Sequence, residues 1–151
     1  MKIQISISEL LKGVYARASL FRASVENAIS PARLRLEHDS ALRRVALNEW
    51  LEIGSRLTPP INVLSIGSEG TAPDGEPEFL VIEFEPESQY ATNIPYLFQA
   101  ALEKRILAAA YAEINPKITQ IMYELAEPDI EKIRILSRLR SSIPRIKSYS
   151  I

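Results

Sequence analysis

The residues whose types and spacing could do chemistry in this chain are carboxylates. Between Glu69 and Glu87 stand seven acids, Glu69, Asp74, Glu76, Glu78, Glu83, Glu85 and Glu87, with no lysine or arginine among them. Acids at this density can act as general acid and base or as oxygen ligands for a hard cation. Their spacing fits neither role. A calcium loop alternates acids around a sharp glycine turn and closes on a glutamate, and Asp74-Gly75-Glu76 supplies only a fragment of that pattern. Gly67-Ser68-Glu69-Gly70 lacks the lysine of a phosphate loop and the pattern of a serine nucleophile elbow, so it reads as a turn. The single histidine, His38, lies in a helical stretch beside Glu37 and Asp39. One imidazole with no cysteine and no second histidine cannot make the usual metal set. We therefore expect no catalytic residue, no metal and no cofactor, and read the protein as non-enzymatic.

The opposite charge gathers at the other end. From Lys132 onward there are six bases, Lys132, Arg134, Arg138, Arg140, Arg145 and Lys147, and no acid. Summed over 151 residues, 18 lysines and arginines nearly cancel 19 acids, giving a net charge of −1. The sum hides the separation. An acidic patch and a basic patch on one chain can pair within the monomer, or each can meet the opposite patch on the next copy. The second contact is heterologous and closes into a ring if the rotation per copy permits. Both patches could instead be solvated faces, and the basic segment could contact nucleic-acid phosphates. A small helical DNA-binding or regulatory protein is thus the alternative to an assembly subunit.

The elements that carry these charges are legible in the pattern. Ile3, Ile5 and Ile7 alternate with polar residues as a strand does. Ser8, or Ser6 with Glu9 as a capping box, opens a first helix from about Glu9 to Ala23, in which Gly13 marks a weak point or a close approach. Ser30-Pro31 opens a long second helix through Trp50 to Leu57, stopped by Thr58-Pro59-Pro60. Trp50 reads as a core anchor, and the arginines 33, 35, 43 and 44 as a solvated face. Residues 61–66 and 78–85 read as a hairpin with a long loop from Gly67 to Pro77, to which the first strand can add. Asn93 with Pro95 opens a third helix to about Ile114, flanked by Tyr90, Tyr96 and Tyr111 as an interface side. Asn115-Pro116 and Glu127-Pro128 open two more, ending near Ser142. The expected class is mainly α, a helical bundle with a small antiparallel sheet in the order β-α-α-β-β-α-α-α. One domain spans 1–143, and 144–151 form a basic, extended or disordered tail. No run approaches the length needed to cross a bilayer, so no membrane partner is expected.

The Met1-Lys2-Ile3 strand, the capped helix at Ser8-Glu9-Leu10 and the long helix through Asp39, Leu42 and Asn48-Glu49 lead to a hairpin ending in acids. A helix opened by Pro95 and a basic tail around Arg138-Leu139-Arg140 and Arg145 follow. This order resembles small virion proteins from the structural modules of tailed bacteriophages, particularly those of gut Bacteroidales, and more distantly head-to-tail connector (adaptor) proteins. The resemblance implies a neck subunit in a dodecameric ring around a DNA passage, seated between portal and tail. Its partners would be other copies and the portal and tail or neck proteins, with only non-specific proximity to DNA. It would be assembled in the host cytoplasm and reside in the virion.

Overall fold

The computed structural model describes residues 2–21, 30–57, 63–73, 75–84 and 91–138. Strand β1 (Lys2–Ser6) runs straight into helix α1 (Ile7–Phe21), followed by α2 (Pro31–Leu57), β2 (Val63–Glu69) and β3 (Phe79–Phe84). A short 3-10 turn (Ala91–Asn93) then leads into α3 (Ile94–Ala110) and α4 (Pro116–Arg138). The protein is mainly helical with one small antiparallel sheet, as its patterning predicts.

The sheet order is β1-β3-β2, so the amino-terminal strand adds to the hairpin beside β3. Ile3 stands opposite Ile82 and Ile5 opposite Leu80. Alternation sends these four side chains and Phe84 to one face, where they are buried. The helices cover that face. Trp50 of α2 is fully buried, lies 4.7 Å centroid to centroid from Phe98 of α3, and donates its indole N–H to the Val81 carbonyl at 3.0 Å. A buried indole with its one donor satisfied joins helix layer to sheet with no polar penalty.

The helix starts follow local chemistry. The Ser6 hydroxyl accepts the Glu9 amide at 3.3 Å, so Ser6 caps α1 and the helix begins at Ile7, which is buried. Ser30 accepts the Arg33 amide at 3.2 Å, with Pro31 in the first helical position of a 27-residue helix about 40 Å long.

Three expectations are corrected. Residues 67–69 continue β2 rather than turn; the chain leaves the strand at Gly70, whose φ of 73° suits glycine. The third helix stops at Ala110, because buried Tyr111 leaves helical geometry while its carbonyl accepts the amides of Ile114 and Asn115. Glu127-Pro128 does not open a new helix: Pro128 lies inside α4, which reduces the three expected carboxy-terminal helices to two. Proline removes the amide bond to the Glu124 carbonyl, but both residues face solvent, where water can satisfy that carbonyl. Ala126, Ile130 and Ile133 meanwhile continue one buried stripe across the proline. Tertiary burial carries the helix through.

Candidate functional site

The hairpin acids fold back onto their own chain. Glu69, at the end of β2, accepts from Gln4 Nε2 at 2.8 Å and lies 3.7 Å from Lys2 Nζ. Glu76 stands 3.6 Å from Arg44 Nε of α2. Glu78 accepts from the Ser6 and Ser8 hydroxyls at 3.0 and 3.4 Å and faces Arg43 Nη1 at 3.9 Å. Glu83 stands opposite Lys2 in the strand register. Asp74, Glu85 and Glu87 lie outside the described residues. Among the described residues, Glu69, Glu76 and Glu78 therefore meet cations and hydroxyls of β1, α1 and α2.

Of those bases, Arg134 forks onto Glu131 through Nε and Nη2 at 3.2 and 3.1 Å. Lys132 and Arg138 are exposed on α4. Arg140, Arg145, Lys147 and the tail from 144 lie outside the described residues. Of the tyrosines expected to flank α3 as an interface, Tyr96 is 75% exposed, whereas Tyr111 is fully buried and belongs to the core. Tyr90 is outside the described residues. His38 is exposed on α2, with Nε2 3.8 Å from Glu37. Among the described residues no three His, Cys, Asp or Glu side chains are grouped to hold a metal ion, and no helix is long and apolar enough to cross a membrane.

A cleft of about 420 Å³ opens between α1 and α2, lined by residues that include Ser8, Tyr15, Arg35, Asp39 and Arg43. Its polar groups are committed to one another. The Tyr15 hydroxyl and Arg43 Nε both donate to Asp39, the latter at 2.9 Å, and Arg43 Nη2 donates to Ser8 Oγ at 3.2 Å. The Arg35 guanidinium sits 4.9 Å above the Tyr15 ring. Burial, reinforced by the Asp39 carboxylate, pushes the Tyr15 phenol well above its ordinary range, so it stays a proton donor. The protonated phenol and the doubly engaged carboxylate clamp α1 to α2.

A second polar cluster is absent from the sequence reading. Arg105, buried on α3, donates to Glu49 at 2.7 Å and Glu52 at 3.0 Å, stands 3.9 Å from Glu127, and lies 4.4 Å over the Tyr123 ring. Arg56 grips Glu127 through both terminal nitrogens at 2.9 and 2.7 Å. That fork holds the Glu127 carboxyl below the usual glutamate range and raises Arg56. One guanidinium thus ties α2, α3 and α4 together. Glu103 does the same for α1 and α3 by accepting from Arg17 Nε at 2.7 Å. Its carboxylate would lie 2.6 Å from a Cβ at position 13, which accounts for Gly13 as a close approach. The signal in the sequence was a lone Glu-Lys-Arg triplet inside the apolar third helix.

Some apolar side chains are also left outside the core. On α4, Ile121, Leu125 and Ile135 are each about half exposed, on a side of the helix away from buried Met122, Ala126 and Ile133. With Pro128 and Lys132 they recur at steps of four and three, the spacing of a helix seam. Comparison of the chain with protein families, with characterised proteins and with solved structures finds no match.

Proposed function

We propose that this protein is a non-enzymatic structural subunit that associates with copies of itself, of the head-to-tail connector or neck type in a tailed-phage virion. The observation that carries the self-association is the seam on α4. Three large aliphatic side chains at helix-packing spacing are left half exposed by a body whose charged groups are largely paired internally. Exposed apolar side chains aligned on one helix face mark a contact surface rather than scattered surface residues. The neck assignment rests in addition on the resemblance in element order, and places portal and tail proteins as the neighbouring rings.

The fold suits such a role. Ion-pair clamps at Tyr15–Asp39–Arg43, Arg17–Glu103, Arg105–Glu49 and Arg56–Glu127 lock the four helices to one another, so a subunit can present its outer faces rigidly. With Glu69, Glu76 and Glu78 folded onto α2 and β1, the apolar seam on α4 is taken as the contact. Association is then expected to survive salt that would screen a hairpin-to-tail ion contact.

Negative-stain electron microscopy of the concentrated protein, alone and with its portal, tests the proposal. Closed rings support it; dispersed single subunits under both conditions overturn it. A gel-shift titration of the intact chain and of a chain ended after Leu136 tests the DNA-binding alternative, which requires binding that the truncation abolishes.

A further inference from the structure

A groove of about 380 Å³ separates the middle of α2 from the carboxy-terminal end of α3. Leu42, Val45, Ala109, Ala110 and Ala112 line it together with exposed Glu113. Alanine walls let a foreign helix approach closely, and the α2 wall from His38 to Val45 extends for about 10 Å. Ile121 and Leu125, one turn apart, span about 6 Å along α4, so both fit within that length. The charges agree with the shapes. Lys117 precedes the pair by one turn and Lys132 follows it by two on the same side of α4, both exposed and both without an ion pair among the described residues. Glu113 is likewise exposed and makes no ion pair among the described residues.

We infer that the groove between α2 and α3 of one copy receives Ile121 and Leu125 of the next copy, with a seam lysine set against Glu113. Seam and groove are different patches of the same chain, so a head-to-tail contact between them leaves one seam and one groove free and can propagate. Each subunit offers one seam and one groove. This inference rests on the assembly reading and specifies which surfaces meet.

Sedimentation velocity on single-site variants tests it. Ile121→Glu places a charge in the knob, and Ala112→Arg fills the groove from an exposed position. Each alone is expected to weaken association by about 100-fold or more. Mixed, the two should form a one-to-one heterodimer that grows no further, because the first still offers a groove and the second still offers a seam. Leu125→Glu and Glu113→Lys provide a second pair, and thermal melts confirm that each variant is folded. A groove variant that associates like the wild type, a seam variant that does so, or a mixture that forms no heterodimer overturns the inference while leaving self-association standing. A wild-type chain that never associates defeats the assembly reading itself.

Discussion

Replacing Arg105 with methionine examines whether the charged network is the clamp that holds α2, α3 and α4 together. The Arg105 side chain is 11% exposed and that of Glu49 15%, so removing the guanidinium strands a carboxylate largely shut off from water. Breaking one partner of a buried pair costs about 3–5 kcal/mol. Glu52 and Glu127 are 46% and 48% exposed, so water screens them and each adds under about 1 kcal/mol. Some water reaches Glu49 as well, and Glu127 keeps Arg56, which together place the cost near the lower bound, about 3 kcal/mol. For a chain of this size that lowers the melting temperature by about 6–12 °C. The same physics predicts that Glu49→Leu combined with Arg105→Met recovers all but about 1 kcal/mol, because a buried ion pair exchanged for apolar side chains is often nearly neutral. Urea unfolding of the wild type, both single variants and the double variant gives the coupling directly. An Arg105→Met variant within about 0.5 kcal/mol of the wild type, or single-variant costs that simply add in the double, refutes the reasoning.

Three further outcomes follow from the same geometry. Gly13→Ala should destabilise despite alanine's helix preference of about 1 kcal/mol, since the new Cβ meets the Glu103 carboxylate at 2.6 Å, and the sign should reverse in a Glu103→Ala background, as read by urea unfolding. Glu127→Gln should cost up to about 1 kcal/mol at neutral pH. Because the folded carboxyl is held below its unfolded value, that stability is present above the ordinary glutamate range and is lost as pH falls from there through the lowered folded value, so variant and wild type should converge in strongly acid melts. Pro128→Ala should stabilise α4 by roughly 1–3 kcal/mol, restoring an amide donor for the Glu124 carbonyl at an exposed position, measurable as a raised melting temperature.

Local chemistry was legible where it acts over a few residues. The Ser30-Pro31 start, the Trp50 stripe of α2 and the period-two pattern of Ile3 and Ile5 in β1 are decided by neighbours up to four positions away and stand where the sequence reading puts them. Ile7, expected on the strand, already opens α1. Pro128 misleads because its local preference is overridden by the buried stripe of Ala126, Ile130 and Ile133, which depends on α3 being there to receive it. Gly67 misleads because pairing to β3, which sets it opposite Val81 across the hairpin, outweighs its local turn preference. The charge runs show the same limit more sharply. A count along the chain finds an acidic hairpin and a basic end, but Glu78 meets Arg43 and Ser8, and Glu49 meets Arg105, across 35, 70 and 56 positions. Which charges remain to meet a partner depends on which are already satisfied inside. The half-exposed apolar seam likewise becomes visible only once the buried side of α4 is known.

The most direct measurement of the central claim is the mass of the wild-type protein in solution by light scattering, followed over concentration at low salt and at about 1 M salt, where charges more than about 3 Å apart in water are screened. An apolar seam predicts multiples of the monomer mass that grow with concentration and persist at high salt. A single species of monomer mass at every concentration and both salt conditions contradicts the account.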